Sequence, residues 1–320
     1  MPAMPQRLLG RTNLQVAAVS LGTMNFGAEW LGARPLDEAA CRDLVDCALD
    51  HGANLFDTAD VYGYGAAETM LGRIIKGRRE RVLIATKVLA QMKPGDPSSG
   101  GLSARHIAEG LDDSLRRLQT DYVDLYMPHN WDARVPIEET LEALQRAVSA
   151  GKVRILGCSN FSGAQVKQCL AAAAARGAPR FEFNEVQYSL AHRNGEAELA
   201  AAWMTSGVSV LSWSPLGGGF LSGRHTPQDR PAGRRQDPQK AFPPLPEKDL
   251  QGLLDALREA ARLEGRSPAQ TALSWTAFRP WVASAIVGAR SVAQLEECLA
   301  VKPLSPEATR LLSAPPVAAS

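Results

Sequence analysis

Two rhythms of apolar residues run through this chain: short continuous aliphatic or aromatic runs, and longer stretches in which apolar positions recur with helical spacing. The runs VAAVS (16–20), ANLFD (53–57), RVLIATK (81–87), YVDLYM (122–127), VRILGCS (153–159), FEFNEVQ (181–187), VSVLSW (208–213) and ASAIVG (283–288) predict eight strands. Each is apolar enough to be covered on both faces, as parallel strands are. Between them, stretches such as DEAACRDLVDCALDH and IEETLEALQRAVSA predict helices that stop at Gly52 and Gly151, where glycine suits a left-handed cap. Eight strand–helix pairs predict an α/β fold, a closed (β/α)8 TIM barrel rather than an open doubly wound sheet with fewer strands and a switch point.

The repetition is broken in two places. Before the first strand, RLLGRTNLQ predicts a β-hairpin closing the bottom of the barrel. After the seventh, GGGFLSGRHTPQDRPAGRRQDPQKAFPPLP is too long and too rich in Gly, Pro and Arg for a simple connector, and its basic part is a candidate lid. Two helices, KDLQGLLDALREAARLEG and SPAQTALSWTAFR, then precede the eighth strand, so one is extra. The reading is a single domain over residues 1–312 followed by a disordered tail, SAPPVAAS (313–320).

Composition narrows the partners. With 320 residues, 45% hydrophobic and 22% charged, and a formal charge of +1, the chain is in the soluble globular class. It offers no electrostatic reason to bind nucleic acid or an anionic membrane, so a small molecule is the expected partner, and the oligomeric state stays open. The cysteines (Cys41, Cys47, Cys158, Cys169, Cys298) are odd in number and form no CxxC pair. That argues against a disulfide framework and a structural zinc, and no metal is expected. MPAMPQRLLGR has no apolar signal core, and the expected location is cytoplasmic.

Chemistry in such a barrel sits at the C-terminal ends of the strands. Those ends carry Asp57 with Tyr62 in the loop beyond, Lys87, His129, Ser159 with Asn160, Gln187, Trp213 with Ser214, and Gly288 with Arg290. Singly, each has a plain structural explanation: a loop hydrogen bond for Asp57, a half-buried ring for Tyr62, a snorkelling Lys87, a core His129. Together they form a constellation. An ammonium at the end of the apolar run ending in ATK is costly to bury unless a carboxylate pairs with it, and Asp57 on the neighbouring strand is placed to do so. The positive charge is expected to lower the Tyr62 pKa and make it a better proton donor, with His129 orienting a carbonyl oxygen.

Asp57, Tyr62, Lys87 and His129, in that order, resemble the catalytic tetrad of the aldo-keto reductase superfamily. LGTMNFG, DTADVYGYGAAETMLGRII, DYVDLYMPHNWD, GKVRILGCSNFS, EVQYSL, SWSPLGGGFLSGR and VGARSVAQLEE resemble successive blocks of that family. WSPLGGGFLSG is similar to the branch with bacterial oxidoreductases and potassium-channel β subunits. The resemblance implies a nicotinamide cofactor, NADPH with NADH as the alternative, lying across the barrel mouth. Its contacts would come from Thr23, Met24, Asp57, Ser159, Asn160 and Gln187, the last three on the carboxamide, with Trp213 stacking on the ring. Ser214, Pro215, Leu216, Gly217, Gly218 and Gly219 would bring backbone amides to the pyrophosphate, and Arg224 would add charge.

Ser291 and Gln294 have the spacing of a capping box at a helix N-terminus after the eighth strand. With Gly288 and Arg290 beside it, that end could take a 2′-phosphate, or be an ordinary capped helix with a surface arginine. The family often has Asn after the glutamate that matches Glu297. This chain has Cys298 there, which predicts an altered adenine contact and a weaker preference for NADPH. Met24, Asn25, Phe26, Trp30 and Trp131 are expected to give the substrate an apolar or aromatic rim. The activity implied is reduction of aldehydes or ketones with Tyr62 as general acid. Alternatives are an alcohol or sugar dehydrogenase using NADP, and a regulatory protein that senses the cofactor.

Overall fold

A computed structural model describes residues 4–32, 34–93, 95–224 and 250–313. The basic part of the long loop and the tail beyond residue 313 lie outside the described residues. The strands are β1 (Gln6–Leu8), β2 (Gln15–Ala17), β3 (Val19–Gly22), β4 (Leu55–Asp57), β5 (Leu83–Val88), β6 (Val123–Pro128), β7 (Val153–Ser159), β8 (Phe181–Gln187), β9 (Ser209–Trp213) and β10 (Val282–Val287). The last eight form a closed barrel in the order β10-β3-β4-β5-β6-β7-β8-β9, with every neighbouring pair parallel.

Helices α1 (Glu38–Asp50), α2 (Ala66–Ile74), α3 (Ala104–Leu118), α4 (Ile137–Ser149), α5 (Gly163–Arg176) and α6 (Glu196–Ser206) fill the connections from β3 to β9. Between β9 and β10 lie a short 3-10 turn (Gly217–Ser222), α7 (Leu250–Glu264) and α8 (Pro268–Ala277), so the extra helix is present. Helices α9 (Val292–Leu299) and α10 (Pro306–Ser313) follow. Both glycine stops are left-handed, with φ of 82° at Gly52 and 71° at Gly151.

The expected first strand, VAAVS, is shared between two sheets. Its first two residues finish β2, paired antiparallel with β1, and the barrel strand starts only at Val19. All five residues are buried, so the apolar run shows no boundary although the chain changes partner at Ala18. The hairpin does close the bottom: Gly10 N–H donates to Ser209 Oγ (2.9 Å) and Arg11 N–H to Glu182 Oε2 (2.9 Å), both near strand starts. Leu9 and Val16 then plug the interior against Leu55, Leu125, Phe183 and Leu211. Interior packing also explains Gly157 in β7, since a Cβ there would stand 2.3 Å from the Phe183 ring.

Candidate active site

Parallel register sets the site. Asp57 closes β4 beside Ala85 of β5, and Lys87, two residues on, points inward on the same face of β5. Lys87 Nζ donates to Asp57 Oδ1 (2.6 Å), to the Thr58 carbonyl (2.9 Å) and to the Tyr62 hydroxyl (3.4 Å). The Lys87 side chain is fully buried. Burial pulls its pKa down, but Asp57 and then Glu185 more than reverse this and hold it well above the ordinary lysine value. Lys87 is therefore an ammonium throughout the working pH range.

The direction expected for Tyr62 is reversed. The Lys87 ammonium does pull the Tyr62 pKa down, but burial outweighs it, and Asp57 and Glu185 add to the upward push. The net result is a phenol held above its ordinary value, chiefly because it is buried. His129 follows β6 directly, with its ring centroid 6.0 Å from that of Tyr62 in an edge arrangement. Burial, then the Lys87 charge, pushes its pKa down to about 3, so its imidazole is neutral. These four residues, from three separate strand ends, gather around Lys87.

One further carboxyl group, beside Lys87, was missed by sequence reasoning. Glu185 of β8 lies 3.2 Å from Lys87 Nζ through Oε1 and is 2% exposed. The signal was available in FEFNEVQ: Glu185 shares parity with Phe183, which faces the barrel interior.

Ser159, Asn160 and Trp213 join in one network. Asn160, at φ 58°, directs Nδ2 to the His129 carbonyl (3.1 Å) and to Ser159 Oγ (3.0 Å), while its Oδ1 accepts from Trp213 Nε1 (3.0 Å). Ser159 Oγ in turn donates to the Glu185 carbonyl (3.1 Å). Gln187 stands beside Trp213 in the β8–β9 register. On the opposite side Thr23 Oγ1 donates to the Asp57 carbonyl (3.0 Å), placing Thr23 and the half-buried Met24 next to the tetrad.

Beyond Trp213 the chain runs through Ser214 (φ 52°), Pro215 and Leu216 into Gly217, Gly218 and Gly219, whose φ values of 56°, 62° and 93° are left-handed in succession. A Cβ built on Gly219 or on Gly288 would meet no atom within 4 Å, so open space lies in front of both segments. Arg224 is an ion-pair partner of Glu297, with Nη2 and Oε2 3.6 Å apart, which ties the loop after β9 to α9. The Ser291 hydroxyl caps α9 by accepting from Gln294 N–H (3.4 Å), but the box is incomplete. Gln294 Oε1 reaches back to Arg290 N–H (3.0 Å) rather than to the cap residue. The exposed Arg290 guanidinium donates to the Arg34 carbonyl (3.2 Å). Cys298 is buried in α9, its thiol pushed up to about 12 by burial.

The expected rim needs one correction. Phe26 is 1% exposed and packs between barrel and helices, and Asn25 Nδ2 is used on the Ala289 carbonyl (2.9 Å). Of the expected rim aromatics, the half-buried Trp30 is in edge contact with Tyr64 (5.4 Å) and the half-buried Trp131 packs on Phe161 (5.2 Å). Tyr64, in contact with Trp30, and Leu31, next to Trp30 in sequence, are large side chains about half exposed, and both escaped the sequence reading.

Comparisons with known proteins identify the family. The profile of the Aldo/keto reductase family matches residues 18–314. The uncharacterized oxidoreductase YrpG of Bacillus subtilis is 36% identical over 303 residues, 91% of this chain and 89% of that protein. A probable voltage-gated potassium channel subunit beta of Arabidopsis thaliana is 32% identical over 295 residues, 89% of this chain and 88% of its own. Among solved structures, aldo-keto reductase AKR11C1 from Bacillus halodurans, in its holo form, superposes with a TM-score of 0.80 at 30% identity, covering 97% of this chain and 95% of that one. A closed barrel with Asp57, Tyr62, Lys87 and His129 gathered at its mouth, matched over nearly its whole length by such relatives, belongs to the aldo/keto reductase family of oxidoreductases.

Proposed function

We propose that this protein reduces aldehydes or ketones to alcohols with NADPH, and that Tyr62 gives the proton. The observation that carries the reading is the contact between the buried Lys87 ammonium and the Tyr62 hydroxyl. Tyr62, with a pKa raised above the ordinary tyrosine value, is protonated at neutral pH and waits as the acid. As it donates, the Lys87 ammonium stabilises the phenolate that forms, an interaction stronger after proton transfer than before it. Neutral His129 can donate from a ring nitrogen to the substrate oxygen without adding a charge that would compete for the proton.

The residues fit a nicotinamide cofactor. The left-handed glycine run borders open space at Gly219, the Trp213 indole N–H is held by Asn160, and Arg290 stands at the capped start of α9. When bound, such a cofactor supplies the hydride. The Arg224–Glu297 pair would close over the connection between β9 and α9.

Relatives named as potassium channel β subunits support a second reading, in which cofactor occupancy is a signal. The complete tetrad favours catalysis. Reduction and oxidation use the same residues, so a dehydrogenase acting on alcohols or sugars is the same site run backwards. No helix among the described residues is long and apolar enough to cross a membrane.

The test is a titration with NADPH and with NADH, read by quenching of tryptophan fluorescence, with Arg290→Ala in parallel. Tighter NADPH binding, lost selectively in Arg290→Ala, supports the cofactor assignment. Equal affinity for both cofactors removes the 2′-phosphate role of Arg290, and no binding of either refutes the proposal.

A further inference from the structure

One ammonium at the bottom of the site faces two carboxyl groups. Lys87 Nζ is 2.6 Å from Asp57 Oδ1 and 3.2 Å from Glu185 Oε1, and the three side chains are 0%, 4% and 2% exposed. Glu185 Oε2 is buried and has no hydrogen-bond partner. The groups facing Glu185 are Asp57 from β4, Lys87 from β5 and the Tyr62 hydroxyl from the loop between them. Its neighbours in register, Ser159 of β7 and Leu211 of β9, bring no charge.

Two carboxylates in one dry site do not both ionise around a single cation. Asp57 has the closer hold on Lys87, so Glu185 is the member left with a proton. Burial pushes the Glu185 carboxyl up first, and the neighbouring Asp57 carboxylate adds to this.

Resting on the carbonyl-reductase reading, we propose that Glu185 is a positioning residue that keeps its proton through the working pH range and leaves the Asp57–Lys87–Glu185 cluster without net charge. Its ionisation, acting on Tyr62 through Lys87, then sets the alkaline limit of turnover. The reason is the phenolate that Tyr62 becomes. With Glu185 neutral, the phenolate meets a cluster whose nearest charge is the ammonium. With Glu185 ionised, the cluster carries one negative charge, and the proton on Tyr62 is held more tightly.

The test is Glu185→Gln, which keeps the shape and an oxygen that can accept from Lys87 but cannot ionise. At neutral pH its kcat should stay within about threefold of wild type, and the alkaline fall of kcat should move up by at least about one pH unit. A loss of about a hundredfold at neutral pH, or an unmoved alkaline limb, overturns the proposal. Infrared spectroscopy gives a reading without turnover: in an Asp60→Asn background, which removes the other buried carboxyl that holds a proton at neutral pH, the protonated-carboxyl stretching band should be lost in Glu185→Gln, and an unchanged band overturns the proposal. Should the variant not accumulate as folded protein, the band and kcat of the Asp60→Asn protein must fall together as pH rises, and a band that titrates away well below the fall in kcat refutes it. Absence of carbonyl turnover by the wild type counts against the reductase reading, and the infrared band then still judges Glu185.

Discussion

Lys87 Nζ donates to the Tyr62 hydroxyl across 3.4 Å while itself closed to solvent. Removing that hydroxyl leaves the ring, its edge contact with His129 and the Asp57–Lys87 pair in place. Tyr62→Phe should therefore lower kcat by about 10²–10⁴-fold, the usual worth of a positioned proton donor, while NADPH affinity changes by less than about twofold. Steady-state rates and fluorescence titration on the same preparation check both.

The ammonium is as important for stability as for chemistry. Lys87→Met leaves Asp57 and Glu185 buried with no cation between them, and should cost about 3–5 kcal/mol in urea unfolding, the penalty of an uncompensated buried charge. Adding Asp57→Asn and Glu185→Gln should recover a large part of that loss. A single Lys87→Met variant as stable as wild type would contradict the electrostatic description of the cluster.

Asp60, in the loop between Asp57 and Tyr62, is 1% exposed and neither carboxyl oxygen has a hydrogen-bond partner. Burial raises its pKa to about 8, with Glu68 adding to the shift while Arg117 and Lys87 oppose it. Its ordinary value is 3.8. Between those limits the native protein holds a proton that the unfolded chain has released, so this group makes stability fall as pH rises from 3.8 to about 8. Asp60→Asn should flatten that part of the stability profile, measured as the urea midpoint at successive pH values.

Gly72 lies in α2 where it crosses α3. A Cβ there would stand 2.6 Å from the Arg117 carbonyl oxygen and 2.7 Å from the Leu118 carbonyl carbon, both backbone atoms. Helix propensity alone would favour Gly72→Ala by about 1 kcal/mol. Forcing two helices apart costs about 1–3 kcal/mol, so net destabilisation is expected, seen as a lower melting temperature.

The barrel was legible because an apolar run finishing on a charge is informative, as at Asp57 and Lys87, and because eight strand–helix repeats leave few topologies. What escaped depends on distances that no sequence pattern carries. VAAVS hides a change of sheet at Ala18, since both neighbours are equally buried. Glu185 was visible as an inward position, but its approach to Lys87 depends on a strand across the barrel. The sign of the Tyr62 shift requires burial to be weighed against charge. Sequence supplied the charge of Lys87 and omitted both the burial and the second carboxyl group. Gln294 has capping-box spacing yet reaches one residue further, a choice made by loop geometry.

The account stands most directly on hydride transfer coupled to Tyr62. NADPH carrying deuterium at the transferable C4 position, mixed with a panel of aliphatic and aromatic aldehydes, gives products that mass spectrometry can score. Wild type should yield alcohol with one deuterium on the former carbonyl carbon, and Tyr62→Phe should yield almost none while still binding the cofactor. Equal yields of labelled alcohol from both proteins would contradict the role assigned to Tyr62, and no labelled alcohol from wild type with any carbonyl would contradict the reductase itself.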